Sequence, residues 1–171
     1  LERLVAVVQG EKNNFDTDLF APILQSVHTL DSDNKHISLM EERIIADHLR
    51  AIVFGIADGV VPSNEGRGYV IKKLIIDITD IALKTGVSEP VIYTLVPSVA
   101  NVMKIPYPEI HEKIDDISGI IKNIEKAYIK VRNERLPELK SEIKIIKRDP
   151  KKLGKVIFTY RDTYGLTIPT I

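Results

Sequence analysis

Leu39-Met40-Glu41-Glu42-Arg43-Ile44-Ile45-Ala46-Asp47-His48-Leu49-Arg50-Ala51-Ile52-Val53-Phe54-Gly55-Ile56-Ala57 is the stretch that decides the fold class. Met40, Ile44, Ile45, Leu49, Ile52, Val53 and Ile56 recur in steps of three and four, which makes a wide apolar stripe of helical period. Arg43 and Asp47, four apart, are expected on the wet side of that helix. The chain then enters Asp58-Gly59-Val60-Val61-Pro62-Ser63-Asn64-Glu65-Gly66-Arg67-Gly68-Tyr69-Val70, a polar hinge punctuated by glycines. Pro62 fixes its own φ and biases Val61 away from helix, so the helix is expected to end near Gly59. Ser63 or Asn64 is expected to cap the next helix, with Gly66 and Gly68 letting the backbone approach another surface closely.

The same period extends in both directions. Downstream, a helix from about Glu65 to Lys84 carries Val70, Ile71, Leu74, Ile75, Ile78, Ile81 and Ala82, and Gly86 ends it. Upstream, residues 1–9 read as a helix closed by Gly10, and Asp16 or Thr17 is expected to cap a second through about Thr29. A polar link, Asp31-Ser32-Asp33-Asn34-Lys35, follows it. Ser88 is expected to start a helix through about Met103, with Pro90 in its first turn. After the Ile105-Pro106-Tyr107-Pro108 turn, Ile110, Ile114, Ile117, Ile121, Ile124, Tyr128 and Val131 form a heptad-like seam on a long helix. Pro137 is expected to kink or interrupt it near Leu136; Leu139, Ile143 and Ile146 resume it, and Asp149-Pro150 stops it. A short helix from about Lys152 to Tyr160 leads to an Asp162-Thr163-Tyr164-Gly165 turn. Nothing reads as a sheet. The predicted class is all-α, an irregular multi-helix bundle with one long, proline-interrupted helix.

Composition narrows the function. The 171 residues include no cysteine, which excludes disulfides and thiolate metal sites. The four histidines (His28, His36, His48, His111) have no metal-ligand spacing, and they read as structural or exposed. No apolar run approaches the roughly 18 residues of a membrane span. No leader pattern opens the chain, so cytoplasm is the expected compartment. Because the chain starts within an amphipathic helix, a piece of something longer is expected. The 24 basic and 24 acidic residues cancel, which counts against binding nucleic acid over the whole surface. Any such site must be local. The hinge offers one, because a helix N-terminus with free N–H groups, flanked by Asn64 and Arg67, suits a phosphate or a base edge.

As a string, Ala57 to Val70 closely resembles the signature of alanyl-tRNA synthetases, within their tRNA-recognition domain. The likeness runs along almost the whole chain. Leu1-Glu2-Arg3-Leu4, followed by Val8-Gln9-Gly10 and Asn14-Phe15-Asp16-Thr17-Asp18-Leu19-Phe20, resembles the tail of class II motif 3. That implies that Arg3 is the arginine that meets the ATP phosphates. Ile45-Ala46-Asp47-His48-Leu49-Arg50-Ala51 is similar to the family as well, with His48 and Arg50 read as polar positions on a buried-face helix. In the hinge, the resemblance implies that Asn64 helps read the acceptor-stem G·U pair of alanine tRNA. Phe158-Thr159-Tyr160-Arg161-Asp162-Thr163-Tyr164-Gly165-Leu166 resembles a second family segment, whose aspartate, here Asp162, faces the same pair. A carboxylate accepts from the exocyclic amine of guanine, and the wide minor groove of A-form RNA admits it. An aspartate there also serves to cap a turn.

One departure is visible. Where the family clusters arginines after the hinge, this chain has Lys72 and Lys73, then Asp77 and Asp80. A second basic patch, Lys144, Lys147, Arg148, Lys151, Lys152 and Lys155, leads into the Asp162 turn. Phosphate contacts are therefore expected from Arg67, Lys72, Lys73, Lys147, Arg148, Lys151 and Lys152. The resemblance implies that residues 1–20 end a class II catalytic core and residues 21–171 form the helical domain that docks the acceptor stem. It implies ATP with magnesium as the cofactor of the intact enzyme. The expected partners are alanine tRNA and the rest of the catalytic core, not DNA or a membrane. This part by itself is expected to hold no catalytic residue, metal ligand or cofactor. The alternative is a synthetase-derived helical protein-interaction module with decayed RNA binding, which packs the seam of 110–131 against a partner helix. Asp77 and Asp80 favour it.

Overall fold

A computed structural model describes residues 2–31, 36–146 and 149–167. Among the described residues the chain is helical, with no strand. Eight α-helices follow in order: α1 (Glu2–Gln9), α2 (Ala21–His28), α3 (Leu39–Ala57), α4 (Gly66–Ala82), α5 (Val96–Met103), α6 (Pro108–Glu112), α7 (Ile114–Ile146) and α8 (Pro150–Asp162). Short 3-10 turns at Asn14–Asp16, Thr29–Asp31, Leu83–Thr85 and Ile92–Leu95 link several of them. The all-α class expected from the period is what is found. The chain divides into two compact units, Leu1–Glu125 and Lys126–Ile171, and α7 contributes residues to each.

The first unit is built on α3 and α4. Ile45, Leu49, Ile52 and Val53 of α3 are fully buried, as are Ile75 and Ile78 of α4. Each such side chain stabilises the fold by about 1.5–3 kcal/mol through the apolar area taken from water. Gly55 lets the two helices cross closely: a Cβ there would lie 2.6 Å from Ile71 Cδ1. Ile23 and Val27 of α2, Val99 and Ala100 of α5, and Ile117 and Ile121 of α7 complete the core. Ile110, Ile117 and Ile121 of the isoleucine seam are thus consumed in this core, with Ile114 and Ile124 packed against it. These isoleucines are therefore not free for the partner helix of the interaction-module alternative.

α3 starts sharply because Ser38 and Glu41 form a reciprocal capping box. Its buried stripe begins one turn in, at Glu42 and Ile45; Met40, expected to join it, is 73% exposed. Arg43 also departs from expectation. It is half-buried, with its guanidinium 5.3 Å from the centre of the Phe15 ring, whereas Asp47 is exposed. A flat, weakly hydrated cation gains more over an aromatic face than from an exposed partner four residues on.

Several helix starts differ from the sequence reading. Neither Asp16 nor Thr17 caps α2. Residues 14–16 form their own turn, in which Asn13 accepts from the Phe15 N–H at 2.9 Å, and α2 begins after Phe20 with Pro22 in its first turn. Ser88 starts no helix. The chain makes the turn Ile92–Leu95 and α5 begins only at Val96, with Pro97 in its first turn. A distant residue explains this: the buried Glu125 carboxylate accepts from the N–H groups of Val91 (3.1 Å), Ile92 (2.9 Å) and Tyr93 (3.0 Å). Pro137 does not end α7, which runs through it to Ile146. Pro137 is exposed, so water can satisfy the carbonyl one turn back that loses its N–H partner. The polar link at residues 32–35 lies outside the described residues, but its ends are joined by the buried Asp31, which accepts from the backbone N–H groups of His36 (2.8 Å) and Ile37 (2.7 Å).

In the second unit, α8 is tied to the latter part of α7 through its inner face. The Tyr160 hydroxyl donates to Glu142 Oε1 at 3.1 Å. The Tyr164 ring lies 5.2 Å from the Tyr160 ring, with the Arg135 guanidinium 4.6 Å from its centre. Leu139 and Leu166 are buried.

Candidate nucleic-acid interface

The hinge is a rigid fold-back, not a loose connector. α3 ends at Ala57; Gly59 takes φ +85°, and the Val60 N–H returns to the Gly55 carbonyl at 2.9 Å. The Lys113 ammonium caps the last turn by donating to the Ala57 carbonyl at 2.8 Å. The hinge then lies directly on the first turn of α4. A Cβ at Gly68 would sit 2.3 Å from the Val61 carbonyl oxygen and 2.4 Å from Ser63 Oγ. Only a glycine permits this approach. The expected cap differs: Glu65 stands at the N-cap without a side-chain bond, and Ser63 closes a local turn by donating to the Glu65 carbonyl at 3.0 Å. The first N–H groups of α4 are therefore not covered by a capping side chain.

Asn64 sits exposed on top of this turn. Lys72, two turns along α4, donates to its Oδ1 at 2.6 Å. That bond orients the amide and leaves its two N–H donors uncommitted among the described residues. Donors of this kind suit the acceptors and 2′-hydroxyls of an RNA minor groove. Arg67 is exposed beside it. Lys73 is committed to Asp77, at 2.8 and 3.1 Å, so its charge is locally offset. Asp80 is buried, and only 8% of its surface remains accessible.

In the second unit, Asp162 is the last residue of α8 and is exposed. It does not cap the turn that follows. The N–H groups of Thr163, Gly165 and Leu166 return to the carbonyls of Thr159, Arg161 and Tyr160, and Gly165 takes φ +72°. A carboxylate at a helix C-terminus faces the negative end of the helix dipole, a placement that costs about 0.3–1 kcal/mol. Asp162 has no ion pair among the described residues to offset it. At the other end, Asp149 caps α8 by accepting from the Lys151 and Lys152 N–H groups, both at 3.2 Å. Lys144, Lys151, Lys152 and Lys155 are exposed; Lys147 and Arg148 lie outside the described residues. Asn64 and Asp162 thus belong to different units.

The remaining predicted residues fall in the first unit. Arg3 is exposed on α1. Its neighbour Glu2 pairs with Arg50, and this hydrogen bond holds the Glu2 carboxyl below its usual range. Arg50 also lies over the Phe20 ring at 4.1 Å, so its role is structural, as read. His48 is half-buried, with its Nδ1 enclosed and unpartnered. Among the described residues no group of three metal-ligating side chains occurs, and no helix is long and apolar enough to cross a membrane.

A helical chain with this hinge and this terminal aspartate belongs to a known family: residues 1–171 match the family described as tRNA synthetases class II (A). Within that class the relatives are specific. The chain is 41% identical to an alanine–tRNA ligase of Streptococcus mutans over 176 residues, which covers 98% of this chain and 20% of the relative. A Bacillus velezensis alanine–tRNA ligase is 39% identical, with the same coverage, and one from Streptococcus pyogenes is 40% identical over 100% of this chain and 20% of the relative. The chain belongs to this family of class II tRNA synthetases and spans about a fifth of the length of the curated alanine–tRNA ligases it matches.

Proposed function

We propose that this chain is the tRNA-docking part of an alanine–tRNA ligase, whose whole length joins alanine to its tRNA with ATP and magnesium. One observation carries the docking role. The hinge is packed against α4 so closely that only Gly68 fits, and Asn64 is exposed on it, with its oxygen tied to Lys72 and its donors uncommitted among the described residues. Asn64 meets the G·U pair of the acceptor stem from the minor groove, and Asp162 accepts from the guanine amine of the same pair. Arg67 and the lysines 144, 151, 152 and 155, together with Lys147 and Arg148, contact phosphates. Lys72 positions Asn64 more than it binds phosphate, and Lys73 contributes little because Asp77 holds it. Residues 1–20 close the catalytic core of the whole protein, where Arg3 meets the ATP phosphates. No step of the chemistry runs through the rest of this chain.

The test is binding of the 171-residue chain to an RNA hairpin carrying the alanine acceptor stem. Affinity falls steeply as salt rises from 50 to 200 mM, because phosphate contacts release counterions. Asn64→Ala and Asp162→Ala each weaken binding by about 5- to 100-fold, the range for loss of one specific base contact. Unaltered affinity in both variants overturns the assignment.

A further inference from the structure

The end of α3 is closed from two directions. Three of its last four carbonyls are taken by the hinge itself: Phe54 by the Asp58 N–H, Gly55 by that of Val60 and Ile56 by that of Gly59, each at 2.9 Å. The fourth, Ala57, is where the hinge departs, and it is taken by the Lys113 ammonium at 2.8 Å, from 56 residues further along the chain. Ala57 keeps only 8% of its surface accessible, so water replaces that donor poorly. Lys113 is a fixed arm. It stands at the joint between α6 and α7, where its N–H donates to the Ile110 carbonyl at 3.2 Å and its carbonyl accepts from the Ile117 N–H at 2.9 Å. Ile110 and Ile117 are each 1% exposed, which pins the joint to the core. The same segment touches α3 a second time. Tyr107, held between Pro106 and Pro108, makes a T-shaped contact with the Phe54 ring, with centres 5.0 Å apart. Both contacts fall on the last turn before the hinge.

We propose that residues 104–113 form a bracket that sets the pose of the hinge, with Lys113 as its positioning residue. Lys113 acts on tRNA selection through the Ala57 carbonyl, without touching the RNA. The inference rests on the Asn64 reading above and extends it to a segment outside the hinge and α4. Gly68 lets the far side of the hinge seat on α4, and the bracket holds the near side. Once the near side is released, the chain from Asp58 to Ser63 can shift and carry Asn64 with it. A base-edge contact needs placement within about 0.5 Å, whereas contacts to phosphate tolerate more. The loss therefore falls on discrimination between base pairs more than on affinity.

The experiment combines hairpin binding by fluorescence anisotropy, amide hydrogen exchange and thermal unfolding, on the whole chain and four variants. Lys113→Met keeps the alkyl stem and removes the donor. It lowers the melting temperature by roughly 2–12 °C, the effect of one buried acceptor left unpaired. Exchange of the Gly59 and Val60 N–H groups speeds up about tenfold or more. The parent's preference for a G·U over a G·C hairpin, about tenfold, falls to about threefold or less, and the salt slope of binding stays the same. Lys113→Arg keeps a donor and restores both exchange and preference. Tyr107→Leu releases the second contact and moves both in the same direction with Lys113 in place. Lys104→Met, which removes a charge from the same turn, changes neither. A salt slope reduced by about one, with both hairpins weakened alike, would make Lys113 a phosphate contact and overturn the proposal. A lowered melting temperature with exchange and preference unmoved would overturn it too, since a cap without a positioning role behaves so. In that case the parent's preference, and the Asn64 reading with it, stands. If the parent shows no preference for G·U, the Asn64 reading fails first and the selecting role of Lys113 with it.

Discussion

Gly68→Ala tests whether the hinge is held by contact with α4. The added Cβ would stand 2.3 Å from the Val61 carbonyl oxygen, while real Cβ contacts essentially never fall below 3.0 Å. That oxygen must therefore retreat by about 0.7 Å. Ser63 Oγ, at 2.4 Å, can swing aside, but the Val61 oxygen is backbone and carries the hinge with it. Overpacking of this kind costs about 1–3 kcal/mol, offset by at most about 1 kcal/mol from replacing a glycine in a helix. At the middle of that range the net loss is about 1 kcal/mol, which lowers the melting temperature by roughly 2–4 °C for a chain of this size. Because Asn64 rides on the displaced segment, hairpin affinity falls in the same variant. Thermal unfolding followed by circular dichroism reads the first effect and anisotropy the second. A melting temperature equal to the parent's or higher, with unchanged affinity, refutes the claim that Gly68 holds the hinge in place.

Three further outcomes follow from the geometry. Glu125→Gln replaces one acceptor oxygen with a donor against the N–H groups of residues 91–93, and it should cost about 1–3 kcal/mol in denaturant unfolding. Asp31, held down to about 2 chiefly by the Ile37 N–H and then by His36, contributes stability above its ordinary 3.8 that is lost as pH falls towards 2. The parent's melting temperature should therefore drop more steeply between pH 4 and pH 2 than that of Asp31→Asn. Burial raises Glu125 instead, so its contribution has the opposite sign and grows as pH falls; the Asp31→Asn comparison leaves it unchanged. Lys72→Met frees the Asn64 amide to rotate, and it should reduce discrimination between G·U and G·C hairpins more than it reduces affinity for either.

What the sequence made legible was local. The apolar period of 39–57 marks α3 to the residue because its core face is decided within the helix. Its capping box, Ser38 with Glu41, is equally local. α5 starts later than Ser88 suggests because a carboxylate more than thirty residues away takes the N–H groups that a Ser88-capped helix would use. Arg43 is expected in water because nothing near it in sequence announces the Phe15 ring it lies over. Pro137 is expected to kink or interrupt α7, and the helix continues through it because its side of α7 faces solvent, which the sequence does not show. At the candidate site, the motif singles out Asn64 and Asp162, whereas the Lys72–Asn64 bond, the Lys73–Asp77 pair and the burial of Asp80 depend on how the helix packs. Those three facts change the electrostatic reading of the departure. Asp77 pairs with one lysine, and Asp80 is buried.

The central claim is that an exposed amide held on the hinge reads one base pair. Its most direct test is the affinity of the parent chain and of Asn64→Ala for two hairpins that differ only in G·U against G·C. The parent is expected to prefer the G·U hairpin by about tenfold, a typical value for one base-specific contact, and Asn64→Ala is expected to bind both alike. Equal binding of the two hairpins by the parent, or an undiminished preference in Asn64→Ala, would contradict it.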